Sequence, residues 1–356
     1  MGDLPIVVVP VGADDEALDA CLAALDAATP AGTRVWLADD AQAGPRGREI
    51  IARWLARTAL KADYTRRQRS IGEVAHLQQV LAACGDSDAA VLAADAVPTP
   101  GWLGRLDDCL AMDPSIATAT AWCNAGEAAA WPRIGEIDPL PVEPERIARA
   151  AAAMPAVAPE LPAAVSHAVL LRGAARQRAG GLDATSYRSW YAALIDLSLR
   201  LSGLGWRNAL CVTAFVGRAV EGRPLEDDMD RLAVRWPNWH ARLAGFLMND
   251  PLRRSREQLA GLFDAAAPAD VQRDLFANTC LPAESGDATR LAGAPACADK
   301  NARDVGLDPH PGTAPQKIAD RGNLRGAAPP NAGPLHLPGD GIAAADAPAE
   351  IGVVAG

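Results

Sequence analysis

Residues 4–11, Leu-Pro-Ile-Val-Val-Val-Pro-Val, form a short and nearly unbroken apolar run, as expected of a strand buried on both faces of a parallel sheet. A helix should follow. Ala17, Leu18, Cys21, Leu22 and Leu25 recur at helical spacing, Asp14 or Asp15 can cap them, and Pro30 and Gly32 end the run. A second strand fits 34–38 and closes at Asp39 and Asp40, which completes one βαβ unit.

The alternation continues with helices at 48–60 and 71–83 and a strand at 89–93 that stops before Asp95. Pro98, Pro100 and Gly101 open a helix through Met112, and 116–122 reads as the next strand. This order predicts an α/β fold with a mostly parallel sheet flanked by helices. Residues 125–165 hold several prolines and one charged helix candidate at 143–153, and read as an insertion over a site. Order resumes with a strand at 165–171, a turn at Gly180 and Gly181, a helix at 190–204 and a strand at 207–212. A last helical stretch includes Leu232, Leu243, Phe246, Leu247 and Leu252 and runs to about 263.

Beyond 265 the apolar period disappears into segments such as GAAPPNAGP. Such composition cannot offset the entropy of ordering, so 1–265 is expected to form the folded domain and 266–356 a low-complexity, disordered tail. The charge balance then narrows the partners. Asp and Glu number 44 against 34 Lys and Arg, a formal charge of -10, which argues against a broad nucleic-acid surface. No apolar run approaches the ~20 residues of a membrane span, and the start lacks a signal-peptide pattern. The expected compartment is the cytoplasm, with at most peripheral contact to the inner face of the membrane. The seven cysteines form no Cys-x-x-Cys pair and the five histidines have no metal-binding spacing.

In open α/β sheets, ligands sit at the carboxyl ends of the strands. Three such points stand out here: Pro10-Val11-Gly12, Asp39-Asp40 and Asp95. The Gly-x-Gly-x-x-Gly turn, the Gly-Lys dipeptide of a P-loop and the Gly-x-Ser-x-Gly elbow are all absent, which disfavours dinucleotide enzymes, P-loop NTPases and serine hydrolases.

At these points the chain resembles family 2 glycosyltransferases, and the resemblance covers about 4–263. IVVVPVG with DACLAAL is similar to the family's first strand and helix, and VWLADDAQ to the second strand ending in an acidic nucleotide contact. LAADAVPTPGWLGRL looks like the metal-binding Asp-x-Asp strand with its following helix. SIATATAWCNAGEAAAWP, GGLD with DLSLRLSGLGWRNALCVTAFVGR, and RWPNWHARLAGFLMNDPLRR are similar to a bacterial subgroup that assembles surface polysaccharides. The resemblance implies a GT-A fold and inverting transfer from a nucleotide-diphosphate sugar to a glycan or lipid-linked acceptor. It also implies nucleotide contacts at Pro10, Val11, Asp39 and Asp40, and a metal or diphosphate ligand at Asp95.

The departures fall on the chemistry. Asp-x-Asp appears as Ala93-Ala94-Asp95, keeping one carboxylate. The acidic pair expected just before Asp196 and Leu197 is replaced by Ala193, Leu194 and Ile195, which removes the expected base and leaves Asp196 as the catalytic candidate. The family's metal-binding histidine becomes Arg218. Mg²⁺ or Mn²⁺ is therefore expected to be weakly held or dispensable, with the Arg218 guanidinium available to a diphosphate. Glu221, Glu226, Asp227 and Asp228 are candidates for a relocated base.

Each assignment has a plain structural alternative. Asp39 and Asp40 could cap the following segment, Asp95 could cap a turn, Arg218 could point to solvent, and Asp196 could pair with Arg200 one turn later. Trp190 and Tyr191 fit an apolar helix face better than a sugar-stacking role. Two functional classes stay open: a transferase with relocated chemistry, or an inactive relative that binds nucleotide sugar or acts as a scaffold.

Overall fold

The computed structural model describes residues 4–219 and 225–265. The described residues all fall within one compact unit, Met1–Val271. The tail expected at 266–356 lies outside them, as does Glu221.

β1 (Ile6–Pro10) leads into α1 (Asp15–Ala28), whose cap is Asp14, accepting the N–H groups of Glu16 and Ala17. β2 (Arg34–Asp39) and α2 (Pro45–Leu55) follow, then β3 (Lys61–Arg66) and α3 (Glu73–Ala83). β4 (Ala89–Leu92), β5 (Ala96–Pro98), α4 (Trp102–Met112) and β6 (Ile116–Trp122) complete the first half. The second half runs α5 (Pro144–Ala152), β7 (Ala168–Leu171), α6 (Gly173–Arg178), α7 (Trp190–Gly203) and β8 (Arg207–Arg218). α8 (Glu226–Arg235), α9 (Trp239–Asn249) and α10 (Arg253–Ala265) close the described chain.

The sheet has the order β3-β2-β1-β4-β7-β6-β8-β5. Pairing is parallel from β3 through β4 and again between β6 and β8. β7 runs antiparallel to both neighbours and β5 antiparallel to β8, so the sheet is more mixed than its βαβ start predicts. Because β4, β6 and β7 are buried at every position, their apolar runs carry no sign of strand direction.

Local rules account for the other differences. Pro45 occupies the first turn of α2, where its missing N–H costs nothing, so the helix starts earlier than 48 and ends at Leu55. Residues 61–66, which carry no strand prediction, form the half-exposed edge strand β3, where only part of each side-chain row is apolar. β8 extends past 212 to Arg218, through a register shift at Trp122 and Phe215. The final helical stretch is three helices, broken near Pro237 and Pro251.

Three apolar clusters fill the layers. One packs α1, α2 and α4 on one face of the sheet, and a second packs α3 and α7 on the other. The third joins Trp122 and Phe215 to Ile147, Ala150 and Ala151 of α5 and Leu259 of α10. Large residues such as Trp102, Trp122 and Phe215 are fully buried, each worth roughly 1.5–3 kcal/mol or more by burial alone. Much of the segment read as an insertion over a site is thus a packing layer on β8.

Candidate functional site

Hydrogen bonding draws the ends of β1 and β2 together, with the Val11 N–H reaching the Ala38 carbonyl at 2.8 Å. Gly12 lies beside Ala94, close enough that an added methyl would touch it at 3.9 Å, so the β1 and β4 ends are adjacent. The structure therefore brings Pro10, Val11, Asp39 and Asp95 to one edge of the sheet. What it does with each side chain differs.

Asp39 is wholly buried. Its Oδ1 accepts the N–H groups of Gln42 and Ala43 at 2.7 and 3.2 Å, closing the loop after β2. Its Oδ2 accepts the Tyr64 hydroxyl at 2.7 Å and faces Arg66 Nε at 3.1 Å. Burial, then the Asp39 hydrogen bond and charge, push the Tyr64 hydroxyl above the ordinary tyrosine range. Asp39 thus reaches the surface only through Tyr64 and Arg66. Asp40 accepts Ser70 Oγ at 2.6 Å and the N–H groups of Ile71 and Gly72, which makes it the anchor of the turn before α3. Gly72 sits there at a φ of 96°, a conformation that favours glycine. The capping alternative describes Asp40 well.

Asp95 and Arg218 meet at 2.7 Å, Oδ2 to Nε, with the side chains only 19 and 11% exposed. Arg218 therefore does not simply point to solvent. Asn124 fixes its backbone from both sides: Oδ1 accepts the Arg218 N–H at 2.8 Å, while Nδ2 donates to the carbonyls of Arg218 and Asp138. Among the described residues nothing accepts from the Nη1 and Nη2 groups of Arg218, so two parallel donors remain.

Three buried neighbours of this pair, Cys21, Cys123 and His167, are neutral. Burial pushes the Cys21 and Cys123 thiols up to about 12, with the Asp95 charge adding to the effect at Cys21. His167 is also fully buried, and burial followed by the Arg218 charge lowers its pKa to about 3. A neutral surround of this kind strengthens the field of a guanidinium.

The metal implied by the resemblance does not fit these residues. The single retained carboxylate, Asp95, is committed to Arg218. Among the described residues no three His, Cys, Asp or Glu side chains converge as a metal set.

Asp196 is brought to a different place. It is fully buried, Oδ2 pairing with Arg200 Nε at 2.8 Å and Oδ1 facing Trp236 Nε1 at 2.9 Å and Arg235 Nε at 3.2 Å. The carboxylate ties α7 to α8, and the expected pairing with Arg200 is present, so its expected role as a catalytic group finds no exposed oxygen. Ala193 and Leu194 lie in the second core cluster, with Trp190, whose Nε1 donates to Ser166 O. Asp228 is no freer, because it accepts from Arg188 N, Ser189 N and Ser189 Oγ. Tyr191 hydrogen-bonds Glu127.

Sequence reasoning missed Tyr64, Arg66, Asn124, His167 and Glu73. Asn124 belongs to a quoted motif, but only the pairing of β6 with β8 shows that its amide serves Arg218. The others carry no sequence signal.

No known family profile matches the chain, and no curated protein matches it by sequence. Solved structures do match by fold. GalNAc-T7 with UDP, GalNAc and Mn²⁺ superposes at a TM-score of 0.50 and 13% identity, over 73% of this chain and 55% of that one. This chain thus spans about half of that protein's length. The mannosyltransferase PcManGT from Pyrobaculum calidifontis, in complex with GDP-Man and Mn²⁺, matches at 0.48 and 15%, over 74 and 75% of the two chains. GalNAc-T7 is a GT-A-type glycosyltransferase, and the likeness to it shows that the chain has the GT-A fold.

Proposed function

We propose that the chain binds a nucleotide-diphosphate sugar at the ends of β1, β2 and β4, with the Arg218 guanidinium in place of a divalent metal. The observation that carries this reading is the Asp95–Arg218 pair, clamped by Asn124 and leaving two guanidinium donors uncommitted. A planar guanidinium matches phosphate oxygens in a bidentate way and balances their charge without a metal. Pro10 and Val11 supply the backbone wall, while Asp39 acts through Tyr64 and Arg66 and Asp40 through the turn it anchors. The fold supports the same ligand class, since GalNAc-T7 was solved with UDP and a sugar.

The reaction that fits is inverting transfer of the sugar to a glycan or lipid-linked acceptor, in assembly of cell-surface polysaccharide by a cytoplasmic protein at most peripheral to the membrane. No described helix is long and apolar enough to cross a membrane. A second reading, a nucleotide-sugar-binding or scaffolding protein without turnover, is favoured by the apolar burial of Ala193 and Leu194 and the enclosed Asp196.

Calorimetry with UDP, GDP, TDP and their sugars tests the binding. Affinity should be the same in EDTA and in Mn²⁺, and Arg218→Ala should weaken it about 10- to 150-fold, the scale of a hydrogen bond to a charged group. Strong Mn²⁺ dependence, or an indifferent Arg218→Ala, would sink the reading.

A further inference from the structure

Glu73 opens α3, and its carboxyl reaches across to α7, where Oε2 accepts the Trp190 N–H at 2.9 Å. Its other oxygen accepts nothing among the described residues, and the residue is exposed. Arg218 at the end of β8 and Asp228 on α8 both lie within electrostatic range of it. An exposed residue whose carboxyl is tied to the first turn of α7 therefore lies within electrostatic range of the guanidinium that the Asp95 pair holds in place. Among the described residues Asp39, Asp40, Asp196 and Asp228 are each engaged by their own partners, whereas Glu73 keeps an oxygen that accepts nothing.

We propose that Glu73 is the general base of the sugar transfer, an assignment that rests on the nucleotide-sugar reading above. In the step, Glu73 Oε1 takes the proton of the acceptor hydroxyl as that oxygen bonds to the anomeric carbon. The bond from that carbon to the diphosphate breaks, and its electron pair leaves on the nucleoside diphosphate facing Arg218. Water in place of the acceptor gives free sugar by the same balance.

The surroundings suit the task. Crowding of its carboxyl by protein, although the residue is exposed, raises the Glu73 pKa and Asp228 adds to this, while the Trp190 N–H and Arg218 oppose it; the balance lies above the ordinary carboxylate value. A raised carboxylate pKa makes a stronger base near neutral pH. The unprotonated form is the active one, so turnover should rise with pH through this pKa.

The test uses the full chain and whichever of UDP-GlcNAc, UDP-glucose, GDP-mannose and TDP-glucose binds by calorimetry, with released nucleoside diphosphate as the readout. Glu73→Gln keeps an oxygen for the Trp190 N–H. It should leave donor affinity and thermal unfolding unchanged, lower the release rate by about 100-fold or more, and flatten the acid limb of the pH profile. Glu73→Asp should restore part of the rate. A variant as fast as wild type, or a wild type that binds donor and releases none, overturns the assignment of Glu73 alone. A wild type that binds no donor overturns the nucleotide-sugar reading and this assignment with it.

Discussion

Inside the α7–α8 junction, Arg200, Arg235 and Trp236 all meet the carboxylate of Asp196. Removing one partner of a buried pair leaves the other charges uncompensated, at about 3–5 kcal/mol. Because Arg235 is 40% exposed and can turn to water, the lower end applies. Asp196→Ala should cost about 3 kcal/mol in urea unfolding, by the same scale. A loss under about 1 kcal/mol would show that the junction does not depend on it. An acid seven positions into a helix and four before an arginine reads equally well as a surface ion pair or a site residue. Only the packing of α8 over it decides that its carboxylate is enclosed.

At the scale of elements, one buried charged side chain helps to hold α10. Arg256 is almost fully buried, donates to the carbonyls of Ala130 and Ala128 at 2.7 and 2.9 Å, pairs with Asp250 and lies over the Trp122 ring. Burial lowers its pKa, with the Asp250 charge acting the other way. Arg256→Ala strands an anion and two carbonyls and should cost about 3 kcal/mol, read as a lower urea midpoint with cooperativity kept. A midpoint unchanged from wild type would contradict the role. Three arginines, Arg253, Arg254 and Arg256, stand close together in the chain, and nothing in their spacing marks the inward one. The same limit hid β3, whose apolar row is incomplete because one side of an edge strand faces water.

For the whole molecule, the third core cluster reaches as far as Phe263, whose ring meets the edge of Trp131 at 5.4 Å. The residues that follow offer no apolar period to add to that core. A chain ending at Ala265 should therefore keep its thermal midpoint within ~2 °C and a single transition, since at this size ~1 kcal/mol shifts the midpoint by ~2–4 °C. Loss of the transition, or a drop of more than ~5 °C, would mean that the later segment contributes to the fold.

The elements β1, α1, β2, α3, β4 and α4 and the Asp14 cap were legible in the chain because each depends on a few neighbouring residues. So was the set of strand ends that forms the candidate site, since parallel βαβ units bring their carboxyl ends together. The direction of β7, the length of β8 and the fate of each acid depended on partners tens of residues away. Asp39, Asp40, Asp95 and Asp196 look alike in sequence, four acids after or within apolar segments. Tertiary packing gave Asp39 to Tyr64 and Arg66, Asp40 to a turn, Asp196 to α8 and Asp95 to Arg218, because a buried charge is stable only where donors from other elements meet it.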